Sequence, residues 1–467
     1  MHRPEREMKD GAKWWVLVTV GIGTFMSALN GSVVNTVLPV MRRELHADFA
    51  TIEWVVTIYL LVVSGLLLLF GRLGDLRGHK TWFVSGLAGF AAASGLCCLA
   101  PDATFVILFR ALQAIAAAML FANSPAILTK SFPPEQRGQA LGLQATMTYL
   151  GLTVGPSLGG LLAQRWGWRA VFAINVPIGA VAVCMALRFV QREKIEKRGG
   201  IDFAGATLLF TGLLGLLLAL NRGHAWRWGP PVVALLAASA VLLSLFVAVE
   251  RRARSPILDL ALFRERAFSA ASASALLNYI AVYGILFLFP FYLIEVRGLG
   301  PARAGLLLTV QPLVMTVAAP LSGIASDRIG TRTPTTLGMA LLAAGLLWLS
   351  RLDPRTPLIE AELALALCGL GTGIFIAPNN SGLMGAAPRA RQGIAAGVLA
   401  TARNLGMAMG VGLAGAIFTT ALRGREEPGA LTSAVDAGFL AAAVAAALGA
   451  AASAIRGAGV EAGQRTR

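Results

Sequence analysis

Long apolar runs alternate with short polar segments along the whole chain. Fourteen such runs can be delimited, and their lengths suit the roughly 20 residues that a membrane-spanning helix needs. They cover residues 14–40, 51–71, 81–100, 103–128, 138–163, 168–190, 202–220, 230–249, 267–295, 301–326, 333–352, 357–379, 392–421 and 432–455. The pattern predicts an all-α membrane protein with fourteen transmembrane helices. The even number puts both chain ends on one side of the bilayer.

Composition and charge agree with this interpretation. Of 467 residues, 56% are hydrophobic and only 14% are charged, whereas a soluble domain carries about 25% charged residues. Soluble enzymes, disordered chains and nucleic-acid-binding proteins are therefore disfavoured. The net charge of +16 follows the predicted loops, because the chain ends and alternate loops on one face hold 26 Lys and Arg and the opposite face holds 12. By the positive-inside rule, both termini are predicted to be cytoplasmic.

A loop motif occurs twice. GRLGDLRGHK (71–80) follows the second run, and GIASDRIGTR (323–332) follows the tenth. Four positions match at a constant offset of 252 residues, and the pairs are Gly71 and Gly323, Asp75 and Asp327, Gly78 and Gly330, and Lys80 and Arg332. Parallel repeats of this kind are typical of transporters. A single copy could be a tight loop without mechanistic meaning, but the second copy disfavours that interpretation.

The repeat predicts two six-helix bundles with two inserted helices between them. The predicted segments are a cytoplasmic N-tail (1–13), an N-terminal bundle (14–190), a linker with two inserted transmembrane helices (191–266), a C-terminal bundle (267–455) and a cytoplasmic C-tail (456–467). The inserted helices carry almost no polar residues besides Thr and Ser. They are expected at the periphery between the halves, without a role in substrate binding.

The fifth run contains GLTVGPSLGG (151–160). Its glycines clear a helix face so that another helix can approach closely, and its proline removes a backbone hydrogen bond and permits a kink. These residues are Gly151, Gly155, Pro156, Gly159 and Gly160. A stripe like this can be a static packing interface. Together with the repeat, it favours an interface at which the two halves rock.

These segments, in their order, resemble the major facilitator superfamily, specifically its fourteen-span drug–proton antiporter branch. Residues 71–80 fit the superfamily's G-x-L-x-D-x-x-G-x-[KR] loop, and residues 151–160 fit the antiporter motif G-x-x-x-G-P-x-x-G-G. VILFRALQ (106–113) resembles the R-x-x-Q-G segment, with Arg110 and Gln113 retained. The resemblance implies the major facilitator fold and a fifth helix that shapes an export-type cycle.

A few polar side chains within the apolar runs are the candidate site. Arg110 stands out because an Arg at mid-membrane costs from about 3 to more than 10 kcal/mol, so it should face the interior. The substrate or coupling candidates are Asn30, Asn35, Arg110, Gln113, Asn278, Tyr279, Tyr283, Gln311, Asn379 and Arg403. Some of these side chains will instead hold helices together.

The first helix lacks an expected acid. In ALNGSVVNTVLP (28–39), Asn30 occupies the slot where this branch usually has Asp, and an amide cannot titrate. No carboxylate falls deep within a run, since Glu53 and Glu295 are predicted near the outer ends. Proton coupling could use either of these acids or a change of hydrogen-bond partner at Arg110. Transport without proton coupling is the remaining alternative.

The predicted function is secondary active transport. The protein is expected to export small amphipathic compounds from the cell by alternating access, as a multi-pass protein of the plasma (inner) membrane. Arginines without an acid favour neutral or anionic substrates over organic cations. A flippase or exporter of lipids or lipid-like metabolites on the same fold is the alternative.

An enzyme is disfavoured. The sequence has no H-E-x-x-H segment, Ser/His pairing or clustered interior carboxylates. All four histidines fall in a tail or in predicted loops, so no buried imidazole is expected. No metal or cofactor is predicted.

Overall fold

The computed structural model describes residues 10–133, 136–191, 203–223, 226–251, 260–388, 392–422 and 428–455. Helices account for nearly all of them. The helices are α1 Asp10–Glu44, α2 Phe49–Arg77, α3 His79–Leu99, α4 Ala103–Ser131, α5 Arg137–Trp166, α6 Ala170–Ala173 with Asn175–Phe189, α7 Phe203–Arg222, α8 Pro230–Glu250, α9 Arg266–Phe291 with the π-helical turn Tyr292–Val296, α10 Pro301–Leu308 with Val310–Ile329, α11 Arg332–Leu349, α12 Leu358–Ala386, α13 Gln392–Leu422 and α14 Pro428–Ala454.

Each predicted apolar run falls on one of these helices. Within the described residues, eleven helices are long and apolar enough to cross a membrane, and α5, α7 and α11 are the other three. The all-α membrane fold is therefore confirmed, and eleven of the fourteen predicted spans have the length and apolarity that a crossing needs. Residues 1–9 and 456–467 of the predicted tails, and residues 192–202 and 252–259 of the linker loops, lie outside the described residues, whereas residues 10–13 belong to α1. The segment boundaries stay predictions.

The repeated loops end their helices in the same way. Gly78 has a φ of 92° and its N–H donates to the carbonyl of Gly74 at 2.8 Å. Gly330 has a φ of 83° and donates to the carbonyl of Ser326 at 2.9 Å. A side chain is strained at such positive φ values, so both repeats need glycine to turn between consecutive helices.

The repeat extends into the helices that follow. Gly86 of α3 lies against the carbonyl of Ala116 in α4, and Gly338 of α11 lies against the carbonyl of Gly371 in α12. Gly86 and Gly338 are again 252 residues apart. Equivalent helix pairs in the two halves therefore approach each other at equivalent glycines.

The two ends of the bundle can be distinguished by the side chains that meet there. We call the end at which α1 begins the basic face, where Trp15 stacks on Phe189. We call the end at which α1 finishes the distal face, where Arg42 bonds Glu295 at 3.1 Å. The Arg42–Glu295 pair joins α1 of the first half to α9 of the second.

The glycines of helix α5 pack against two different helices, α1 and α10. Gly151, Gly155 and Gly159 lie against α1, and Ser32 of α1 donates to the carbonyl of Leu152 at 3.0 Å. These three glycines pack helices within the first half.

The fourth glycine of the α5 motif faces the other half. Gly160 lies against the carbonyl of Pro301 in α10, and Gly305 lies against the carbonyl of Pro156. Ser157 and Thr309 share a hydrogen bond of 2.5 Å one turn further along. This α5–α10 seam therefore brings the backbones of the two halves together next to the distal face.

The same stripe of α5 separates from the second half toward the basic face. Gly142, Tyr149 and Pro156 are seven residues apart and share one side of the helix. Pro156 is packed in the α5–α10 seam, whereas Tyr149 is 40% exposed and a Cβ on Gly142 would meet nothing within 4 Å. A cleft between the halves therefore opens toward the basic face.

The inserted helices differ in their surroundings. Helix α7 packs against α2 of the first half and α13 of the second, whereas α8 packs on α7 and exposes most of its surface. Helix α7 therefore lies between the halves, and α8 lies at the periphery.

Substituting Gly305 tests the α5–α10 seam. Gly305→Val places carbons on the carbonyl of Pro156, and overpacking of this kind costs about 1–3 kcal/mol. We expect a lower melting temperature and loss of transport, measured on purified protein and in vesicles. Gly429→Ala is the control because its Cβ would enter open space. An unchanged melting temperature for Gly305→Val would refute the close contact.

Candidate functional site

Arg110 is fully buried in the first half and donates to two neighbouring helices as well as its own. Its Nε donates to the carbonyl of Val55 at 2.9 Å, and its Nη1 donates to Asn30 Oδ1 at 2.5 Å and to Gln113 Oε1 at 2.6 Å. The guanidinium also lies 4.1 Å above the ring of Tyr59. The planar fork of Arg serves several acceptors at once, so one side chain ties α1, α2 and α4 together.

The hydrogen-bonded cluster extends to α3, and some of its polar atoms have no hydrogen-bond partner. Gln113 donates to Ser94 at 2.6 Å, so four helices meet here. Asn30 Nδ2 is buried without a hydrogen-bond partner. Asn35 bonds the carbonyl of Gly31 at 2.9 Å, and a Cβ on Gly31 would enter open space. The cluster therefore borders an open volume and has an unused donor.

The second half contributes aromatic side chains and a second cation. Tyr279 and Tyr283 lie on α9 against Gly406 and Gly410 of α13. Arg403, one turn from Gly406, lies close to both tyrosines. Both tyrosines and Arg403 keep part of their surface exposed, although they lie deep in the bundle. They line the cleft rather than a sealed core.

Two tyrosines of the first half lie next to this lining. Tyr149 of α5 lies close to Tyr279 and is 40% exposed, and Tyr59 lies close to Tyr283 but is buried. Tyr59 is also the ring that covers Arg110. We call this set the tyrosine–arginine cavity, and its members are Tyr59, Arg110, Tyr149, Tyr279, Tyr283 and Arg403.

No carboxylate of the described residues pairs with either cation of this cavity. Arg110 has only neutral acceptors, and the described ion pairs do not include Arg403. The cavity therefore carries a net positive charge, and in a low-dielectric interior this charge acts strongly on anything that enters.

Three predicted site residues lie at helix–helix interfaces instead. Asn278 donates to Met339 of α11 at 3.4 Å, and Asn379 donates to the carbonyl of Ala271 in α9 at 3.3 Å. Gln311 is buried against α12. They are placed to hold helices together, as the sequence interpretation allowed for some of the set.

The first repeated loop has ionic contacts at the basic face. Asp75 lies 3.7 Å from Arg72 and 3.4 Å from His79, and Lys80 donates to the carbonyl of Leu187 at 3.1 Å. The side chain of the matching Asp327 lies outside the described set. The loop thus connects α2 and α3 to the end of α6.

The prediction that no imidazole is buried was wrong. His79 falls in the first turn of α3 rather than in a loop, is 2% exposed, and its Nδ1 lies 2.8 Å from Asn123 Oδ1. The reason is that Gly78 turns the chain within a single residue, so α3 begins immediately and its first turn packs against α4.

Glu53 is also placed more deeply than its sequence position indicates. It lies only one turn into α2, yet it is 1% exposed. Asn221 of α7 donates to its Oε2 at 2.8 Å and accepts from Trp54 Nε1 at 2.5 Å. Helix α7, which carries few polar residues, therefore makes a buried polar contact with α2 through Asn221.

Three residues at or near the site were not among the predicted site residues, namely Tyr59, Tyr149 and Asn221. Tyrosines are common in apolar helices, and nothing in their spacing distinguishes a cavity-lining ring from a lipid-facing one. Asn221 falls at the end of a run, where an amide is expected to be solvated.

Replacing Arg110 tests the cluster. Arg110→Lys keeps the charge but cannot reach acceptors on three helices, so we expect transport to fall about tenfold or more, corresponding to about 1.4 kcal/mol. Transport in vesicles at matched protein amounts is the measurement. Arg303→Lys, at an exposed position, is the control. Equal rates for both variants would contradict a role for the guanidinium fork.

Comparisons with known proteins agree with this architecture. The family model for the Major Facilitator Superfamily matches residues 20–411. The chain is 32% identical to the riboflavin transporter RibZ of Clostridioides difficile over 90% of this chain and 92% of that protein. It is also 32% identical to the multidrug resistance protein Stp of Mycobacterium tuberculosis, over 88% and 77% of the two chains.

Two further similarities support the same assignment. The chain is 32% identical to the tetracenomycin C resistance and export protein of Streptomyces glaucescens, over 90% of this chain and 78% of that protein. Its fold matches that of a bacterial homologue of the human lysosomal transporter Spinster, with a TM-score of 0.72 at 15% identity over 96% and 98% of the two chains. The chain belongs to the Major Facilitator Superfamily and is a multi-pass membrane transporter, not an enzyme.

Proposed function

We propose that this transporter exports small amphipathic compounds that are neutral or anionic, by alternating access across the cell membrane with its basic face and both termini in the cytoplasm. The observation that carries the proposal is the tyrosine–arginine cavity, which combines four aromatic rings with two cations and, in the described residues, no paired carboxylate. Rings bind apolar, flat surfaces, and the guanidinium groups select against positive charge.

The packing of the halves supports alternating access. The α5–α10 seam and the Arg42–Glu295 pair close the distal face, while the cleft beside Tyr149 opens toward the basic face. A substrate would enter from the basic face, and breaking the distal contacts would release it on the other side.

The direction of transport rests on relatives and on charge. Two of the relatives above are named for resistance or export. The excess of Lys and Arg in the loops of the basic face supports a cytoplasmic position for that face. An export cycle then begins in the conformation described here.

Substrate charge provides the first test. Unit charges 8 Å apart at an effective dielectric constant of 20 interact by about 2 kcal/mol, so we expect neutral or anionic aromatic compounds to be moved at least about tenfold faster than cationic analogues of the same size. Uptake into inside-out vesicles is the measurement. Faster movement of the cations would overturn the proposal. A protein that moves only fluorescent lipid between leaflets would establish the flippase alternative.

Asn30 provides the second test. Asn30→Asp places a titratable group beside the Arg110 guanidinium, which now bonds the amide oxygen at 2.5 Å. We expect transport by this variant to gain dependence on an imposed proton gradient, measured in proteoliposomes. Asn35→Asp is the matched control, because Asn35 bonds the carbonyl of Gly31 rather than Arg110. Equal dependence of the two variants on the proton gradient would contradict the idea that an acid at position 30 couples transport to protons.

A further inference from the structure

Two buried carboxylates lie between the halves at the distal face, and their surroundings are opposite. Glu295 of α9 is held by a two-pronged ion pair, with Arg42 Nε and Nη2 each donating to a different oxygen at 3.1 Å. Arg43 lies 3.7 Å away on the same side. This carboxylate joins the halves only while it is ionised, because its partners are cations.

Glu53 has no such partner. Its Oε2 accepts from the neutral amide of Asn221 at 2.8 Å, its Oε1 has no hydrogen-bond partner among the described residues, and no described cation forms an ion pair with it. Gly415 of α13 covers the group so closely that a side chain there would collide with it. The carboxyl of Glu53 is thus enclosed between α2, α7 and α13, at the contact of the two halves.

The charged groups around Glu53 are few. Helix α7 carries Arg222 in its last turn, and no described ion pair joins it to Glu53. Helix α4 brings Arg110, which contacts α2 at Val55 and Tyr59 instead. The cation of α13, Arg403, is twelve residues from Gly415, or about 18 Å along the helix.

The described residues of the remaining helices add no partner for the Glu53 carboxyl. Arg42 of α1 is engaged by Glu295 and lies 3.9 Å from the ring of Phe49. His79 of α3 lies at the opposite end of α2, against Asn123. The Glu53 carboxyl is therefore buried without a described counter-charge, and a carboxyl in such surroundings is more stable in its neutral, protonated form than as an anion.

We propose that Glu53 is a proton-binding site that controls closure of the distal face. The bound proton permits α13 to pack over the neutral carboxyl, and loss of the proton drives α2 and α13 apart so that water reaches the charge. This inference rests on the alternating access proposed above, and it assigns the proton a site outside the tyrosine–arginine cavity.

The proposal gives the same substitution opposite effects at the two acids. Glu53→Gln keeps the shape and hydrogen bond of the neutral acid, so it mimics the protonated state and favours the closed distal face. Glu295→Gln removes the charge that Arg42 binds, so it favours opening. Since the closed state binds one more proton at Glu53, the ratio of closed to open molecules falls as pH rises, by up to about tenfold per pH unit.

Spin-label distances across the distal face test this. Labels at Glu44→Cys and Arg303→Cys, both exposed positions, are placed in a transport-competent chain whose four cysteines are replaced by alanine. Distances are measured by pulsed electron paramagnetic resonance in nanodiscs from pH 5 to pH 9. The unsubstituted background should shift from short to long distances as pH rises. Glu53→Gln should keep the short distance throughout, and Glu295→Gln should increase the long-distance population throughout.

Glu265→Gln, at an exposed position on the basic face, is the control and should titrate like the background. A Glu53→Gln chain that also titrates like the background, or that opens as Glu295→Gln does, overturns the role of Glu53 while leaving alternating access intact. A distance that never lengthens, even in Glu295→Gln, overturns alternating access at this face and the Glu53 proposal with it.

Discussion

The first half of the molecule is organised around the burial of one arginine in an apolar bundle. A guanidinium in a membrane interior must be satisfied by the protein, because neither water nor lipid supplies acceptors there. Arg110 meets this requirement with a backbone carbonyl, two side-chain amides and the face of Tyr59. These acceptors come from three helices, so satisfying one charge fixes the relative positions of α1, α2 and α4.

Closure of the distal face depends on contacts of a different kind. Glycines let the backbones of α5 and α10 approach closely at Gly160 and Gly305, and the Ser157–Thr309 hydrogen bond lies beside this contact. The acids Glu53 and Glu295 flank the same interface with directional contacts. A seam of small residues can separate and re-form without rearranging side chains, whereas the acids make closure depend on charge.

The inserted helices do more than occupy space beside the bundles. Asn221 of α7 bonds both the carbonyl of Ala50 and the carboxyl of Glu53, so α7 is attached to α2 while it also packs against α13. The attachment depends on one amide at the end of an otherwise apolar helix. Helix α8, which packs on α7, presents mostly apolar surface to the surroundings.

The sequence by itself determined the helices, the repeat and the class of chemistry. Apolar runs long enough to span a bilayer have no alternative to helix formation in lipid, and the equivalent turns at Gly78 and Gly330 follow from the local need for positive φ. The burial of Arg110 was predictable for the same reason, since the cost of exposing it to lipid leaves only the interior.

Only the tertiary structure decided which polar residues meet. Asn278 and Asn379 are asparagines within apolar runs, as Asn30 is. They bond neighbouring helices, whereas Asn30 accepts a hydrogen bond from Arg110. Glu53 is near a helix end in sequence but is enclosed because α7 and α13 cover it. Helical periodicity gives the direction of a side chain on its own helix, whereas its partner depends on how distant helices pack, and that information is not local.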